Sequence, residues 1–242
     1  MIEYEQTLYE VRIIGTIQSI WDGFDFTYIL GILLSVIPAL VCITLHELSH
    51  GLVAYKLGDD TAKQAGRLTL NPLKHLDPIG LLMMLVFHVG WAKPVPVNMF
   101  RFKNPKCGMA LTALAGPVSN IIIALVFLFL YGVVYIPLGF SEVGGYFLSM
   151  IQLTAYISLG LAVFNLIPVS PLDGSKVLFS LMRDESYYKL MRYEKYGSVI
   201  MMLLVATGAL GKPLAAVIDK LYIALIPLAQ CGCDMIYYLF YK

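Results

Sequence analysis

Long apolar runs separated by short polar stretches set the character of this chain. Phe26 to Tyr55 is 30 residues without a lysine or arginine, and nothing is charged between Phe26 and Leu45. At ~1.5 Å per helical residue, such a run crosses a hydrocarbon core of ~30 Å. Pro38 should kink this first span and free backbone groups that neighbouring helices must satisfy. Met109–Ile136 predicts a second span and Val143–Leu172 a third. Gly197–Gly211 and Leu221–Cys233 are shorter, divided by Lys212, Pro213, Asp219 and Lys220, and fit either two tilted spans or a hairpin that does not fully cross.

The polar stretches have patterns of their own. In residues 1–25, Leu8, Val11, Ile14 and Ile17 recur at helical spacing among acidic residues, which suits a short interfacial helix. From Lys56 to Lys106 the chain is basic. Arg67–Asn71 alternates like a strand and stops at Pro72, while Val95–Asn98 is a second extended candidate that Pro94 and Pro96 confine to an edge. Ile79–Ala92, uncharged apart from His88, is too short to span and suits a re-entrant or interfacial segment. The expectation is a polytopic α-helical membrane protein. It has a three-span core, one or two C-terminal spans, and a small membrane-associated β element between the first and second spans. Residues 1–25 form the N-terminal segment, 26–182 the membrane core, and 183–242 a cytoplasmic loop with the C-terminal helices.

Composition supports the membrane. The chain is 59% hydrophobic and 14% charged, with a mean hydropathy of +0.76, too apolar for an ordinary soluble domain. A net charge of +1 without a basic cluster interleaved with aromatics gives nucleic acid nothing to bind. Met1–Asp25 lacks the basic, apolar and small-residue succession of a cleaved signal peptide. Cys42, Cys107, Cys231 and Cys233 form no ligand pattern and read as packing residues. Basic residues crowd the loops after the first and third spans, and none lies between Pro137 and Glu142, so the positive-inside rule puts those two loops in the cytoplasm and the acidic N-terminus outside. The implied location is the cell membrane, multi-pass, with the lipid bilayer itself as a partner.

One stretch breaks the apolar rule. His46-Glu47-Leu-Ser-His50 places three ionisable groups at membrane depth, where they are expensive and usually functional. Chance supplies about 0.002 such His-Glu-x-x-His matches in a chain of this composition. On a helix His46 and His50 are one turn apart on one face, so both can hold one metal ion with Glu47 beside it as a base. A catalytic zinc takes three protein ligands and keeps one position open. Asp173, after a long apolar run and beside Gly174, is the candidate third ligand. An N-cap for residues 174–182 is an equally good reading of it.

His46-Glu-Leu-Ser-His50 together with Asn165-x-x-Pro168-x-x-Pro-Leu-Asp173-Gly174 resembles the site-2 protease family of intramembrane zinc metalloproteases, peptidase family M50. Gly66–Pro72, Gly90–Asn98 and Ala115-Gly-Pro-Val-Ser-Asn120 resemble its compact bacterial branch, which lacks PDZ and CBS domains. Ser175 stands where many members have a second glycine. The resemblance implies one Zn2+ on His46, His50 and Asp173, with Glu47 as catalytic carboxylate. It also implies Asn165 near the metal, positioning substrate or the developing oxyanion, three spans around the zinc, and a transmembrane protein as substrate. Glu47 would take a proton from water and pass it to the leaving amine. Oligomeric state is left open.

Two other classes compete. A zinc transporter should carry ligands on several helices along a path, and a silent binding scaffold needs no carboxylate beside the metal. His75 is the rival ligand, although a loop histidine more often serves as a hydrogen-bonding residue. His88 reads as lining or packing, Asn120 as a hydrogen-bonded bridge between helices, and Gly116 and Ser119 as small residues for close helix contact.

Overall fold

The computed structural model describes residues 26–80, 92–139 and 141–240. The predicted interfacial helix in residues 1–25, and most of the Ile79–Ala92 segment with His88, lie outside the described residues. The chain divides into two units, Met1–Val36 and Ile37–Lys242. The described part of the first is the opening turns of helix α1; everything below concerns the second unit.

Among the described residues the bounded α-helices are, in chain order, α1 (Phe26–Lys56), α2 (Thr61–Gln64), α3 (Pro105–Leu138), α4 (Glu142–Asn165), α5 (Asp173–Ser180), α6 (Asp184–Ala206) and α7 (Gly211–Phe240). Among the described residues α1, α3, α4 and α7 are long and apolar enough to cross a membrane. The ends are set locally. Asn104 accepts the Cys107 N–H and Pro105 fills the first helical position of α3, while Ser141 caps α4 through the Gly144 N–H. The third apolar run stops being helical at Asn165 rather than Leu172, because Pro168 and Pro171 have no N–H to continue the ladder.

Three expectations change. Neither Arg67–Asn71 nor Val95–Asn98 joins a ladder, and the β pairing among the described residues is one antiparallel bridge between Leu76 and Ala92. The reason lies in who takes the backbone groups. Lys93 N–H donates to the His75 carbonyl, the Arg67 guanidinium donates to the Lys93 carbonyl, and Pro94 and Pro96 have no donor to offer. Residues 184–206, read as loop then span, form one helix, α6. Residues 211–240 are likewise one continuous helix where charges and Pro213 suggested a break. Pro213 falls in the first turn, where N–H groups have no intrahelical partner anyway, and Asp219 accepts the Tyr156 hydroxyl at 2.8 Å.

The spans meet at small residues. A Cβ on Gly132 of α3 would strike the Ala229 carbonyl, and one on Gly232 of α7 would lie 2.5 Å from the Phe129 carbonyl, so the two backbones touch there. Ala124, Leu159 and Ile218 join α3, α4 and α7 in one buried cluster.

Candidate metal centre

His46 and His50 lie one turn apart on α1 and are buried, their Nε2 atoms 3.0 Å apart and their rings edge to face. Asp173 comes from the first position of α5, after the turn that ends α4. Leu172 occupies the N-cap position and the Asp173 side chain caps nothing. Its Oδ2 instead lies 3.2 Å from both imidazole Nε2 atoms. The two readings of Asp173 are thereby separated: the carboxylate faces the histidines. Gly174 makes the approach possible, since a Cβ there would strike the Leu166 carbonyl.

The donor set asks for a cation. His50 Nδ1 is 2.7 Å from the Thr112 carbonyl, which can only accept, so in the neutral ring Nδ1 carries the proton and Nε2 presents a lone pair. Asp173 Oδ2 is buried and receives no hydrogen bond. Two buried lone pairs 3.2 Å apart repel unless a positive charge lies between them. A point equidistant from the three atoms in their plane is about 1.8 Å from each, near the ~2.0–2.2 Å of zinc bonds to imidazole and carboxylate. Among the described residues this is the one group of three that could hold a metal.

Helix α3 builds the opposite wall. Thr112, Gly116 and Asn120 recur at four-residue spacing and face His50 and His46 in antiparallel order. Thr112 meets His50 through its carbonyl, and the Asn120 amide lies 3.1 Å from His46 Nδ1. Between them a Cβ on Gly116 would strike His50 Nε2 and lie 2.5 Å from His46 Cε1. The rings occupy the space a side chain would take. The sequence carried this signal as a one-turn ladder matching that of the histidines, but nothing in the letters said that the two ladders face each other.

Glu47, half-buried, lines a cavity of about 410 Å3 with His50, Asp173 and Asn165. Its Oε2 accepts the Val95 N–H at 2.9 Å, so the extended Lys93–Asn98 segment holds the carboxylate in place. That segment is itself braced at Lys93, as above, and at Asn98, whose N–H donates to Asp59 Oδ2 at 2.6 Å. Asn165 lines the cavity, but its Nδ2 donates to the Leu161 carbonyl of its own helix. Lys176, which the sequence reading did not single out, lines it too. His75 stands apart: fully buried, with Nε2 2.9 Å from the Thr69 carbonyl, it belongs to the bracing of the loop.

The model of peptidase family M50 matches residues 130–208, a stretch that includes Asp173. "Putative zinc metalloprotease YwhC" of Bacillus subtilis (strain 168) is 41% identical over 211 residues, covering 85% of this chain and 90% of the relative. "Putative zinc metalloprotease Rip2" of Mycolicibacterium smegmatis is 30% identical over 178 residues, 72% of this chain and 66% of the relative. "Putative zinc metalloprotease MJ0611" of Methanocaldococcus jannaschii is 31% identical over 169 residues, 67% and 80%. No solved structure matches. With His46, His50 and Asp173 converging beside Glu47 in an apolar helical frame, and a relative this similar over nine-tenths of its length, the chain belongs to peptidase family M50.

Proposed function

We propose that this protein is an intramembrane zinc metalloprotease that hydrolyses a peptide bond within or near a transmembrane segment of another membrane protein. The observation that carries the reading is the convergence of His46 Nε2, His50 Nε2 and Asp173 Oδ2, with Glu47 on the same cavity. These three side chains would hold the metal. A zinc ion bound there supplies a Lewis acid that polarises the scissile carbonyl and brings the pKa of water toward neutrality. Glu47, fixed by the Val95 N–H, takes the proton of the attacking water and later delivers it to the leaving amine. Asn165, at the cavity wall, keeps its Oδ1 free to receive a substrate N–H.

A transmembrane helix hides its peptide carbonyls in intrahelical bonds, so the substrate must unwind to be cut. The Lys93–Asn98 segment is already extended and borders the cavity through Pro94, Val95 and Val97. Among the described residues no backbone donor reaches its proline carbonyls at 94 and 96, which can accept from an unwound chain laid alongside. A transport function would require further ligands along a path, and the described residues hold a single metal-ligating group.

The test compares wild type with Glu47→Gln in cells that co-express tagged single-span membrane proteins, with zinc measured in the purified proteins. The variant should bind zinc as the wild type does and cut nothing. Cleavage by E47Q at the wild-type rate refutes the assignment of Glu47, and a wild type without zinc refutes the metalloprotease itself.

A further inference from the structure

We propose that Asn120 is the positioning residue for His46: its Oδ1 accepts the Nδ1–H, which leaves Nε2 free for the metal. The inference rests on the metalloprotease reading above and adds a residue to it. Asn120 is fully buried, and its amide is 3.1 Å from His46 Nδ1, across the α1–α3 contact. A ligating imidazole must carry its proton on the other ring nitrogen, and that proton needs an acceptor in a dry site. His50 meets the requirement with the Thr112 carbonyl. At His46 the amide of Asn120 is the group within reach.

The amide as it stands turns Nδ2 toward His46 and leaves Oδ1 buried without a partner. That arrangement suits a histidine whose proton is on Nε2, where it faces Asp173 Oδ2 at 3.2 Å. Half a turn of the amide exchanges donor for acceptor and matches the ring that holds a metal. Asparagine serves both forms, since it presents one donor end and one acceptor end to the same place. Its backbone stays fixed meanwhile, because the Ser158 hydroxyl of α4 donates to the Asn120 carbonyl at 2.9 Å. Aspartate in its place can only accept, which favours the metal-holding ring, and leucine has the shape but neither function.

The experiment measures zinc affinity of the purified full-length protein by competition with a chromophoric chelator, for wild type, Asn120→Leu and Asn120→Asp. Lost partners of metal-bound histidines cost roughly 10–100-fold in affinity. N120L should weaken zinc by that factor while the zinc-free melting temperature stays within a few degrees of wild type. N120D should hold zinc within a few-fold of wild type. Should N120L not fold, nitrogen-15 spectra of the zinc-loaded wild type decide, where the His46 Nδ1 proton should exchange slowly with water. Wild-type affinity in N120L, equal losses in N120L and N120D, or a rapidly exchanging Nδ1 proton would each overturn the proposal and leave the zinc site standing. A wild type that binds no zinc would remove both.

Discussion

Gly116 has no side chain, and the two imidazoles fill the space that one would need. Its ideal Cβ overlaps both rings, which are held on their far side by α1 itself. Gly116→Ala should therefore push the rings out of register with Asp173. We expect at least a tenfold loss of zinc affinity with helical content unchanged, read by metal analysis and circular dichroism on the same sample. Chelation makes the complementary prediction. Without a cation the buried lone pairs of His50 Nε2 and Asp173 Oδ2 face each other at 3.2 Å and repel, so a zinc chelator should lower the melting temperature as well as stop cleavage, and added zinc should restore both. At this scale the sequence was most legible where partners are neighbours along the chain. The His46–Glu47–His50 spacing needs only one helical turn to be interpreted. Asp173 was ambiguous because an aspartate after Pro171 is equally at home capping a helix, and only its direction in space separates the two. Asn120 was read as a bridge between helices, and it is one, but the letters did not show that the group at the other end is His46, one of the candidate metal ligands.

Between elements, Asp59 shows how the loop is tied to Glu47. It is fully buried; Oδ1 accepts from the Thr61 N–H and hydroxyl, and Oδ2 from Asn98 N–H. Burial pushes its pKa up, but these bonds and the Arg101 guanidinium outweigh it and hold the carboxyl below its usual range. A depressed pKa stabilises the fold above the unfolded value of ~3.9, and that contribution fades as pH falls through the folded value. Zinc-free wild type should accordingly lose melting temperature below about pH 4, and Asp59→Asn should flatten that acid limb. Asp59→Ala strands two backbone donors and should cost several degrees at neutral pH, with weakened cleavage because Asn98 and Val95 share one segment. The α3–α7 crossing gives a contrasting test. Gly232→Leu would wedge the helices apart at the Phe129 carbonyl, far from the histidines. We expect a lower melting temperature with zinc stoichiometry intact. The C-terminal helices were the least legible part of the fold. Lys212, Pro213 and Asp219 look like a break in one dimension, yet a first-turn proline and a tyrosine partner make them compatible with one helix. The β element was over-read for the opposite reason: alternation in Arg67–Asn71 was real, but side chains and a neighbouring loop had already taken the backbone groups it needed.

For the molecule as a whole, the helix directions fix which ends share a membrane face. The antiparallel pairing of His50 with Thr112 and His46 with Asn120 brings the end of α1 and the start of α3 to one side, where the basic 56–106 loop also lies. Gly116, which faces the His50 Nε2 atom, is eleven residues into α3, so the metal centre sits about 16 Å from that end of the helix at ~1.5 Å per residue. α4 returns to the same side at Asn165. α6 stays there, since Lys106 pairs with Asp184 near its start and Gly197 packs on Ser170 in its middle, both in the turns around the site. α7 then runs parallel to α3, because Ile218 meets Ala124 and Gly232 meets Gly132 further along. By this path α7 is the C-terminal helix that would cross, and the end of the chain would emerge opposite the metal centre. Taken with the positive-inside rule, which would place the basic loops in the cytoplasm, we propose that the C-terminus lies outside and Glu47 in the cytoplasmic half of the bilayer. Alkaline phosphatase fused after residue 242 should be active in cells, and the same enzyme inserted at Gly58–Asp60 should be inactive. An inactive C-terminal fusion paired with a fluorescent cytoplasmic reporter at the same site would mean that α6 crosses as well.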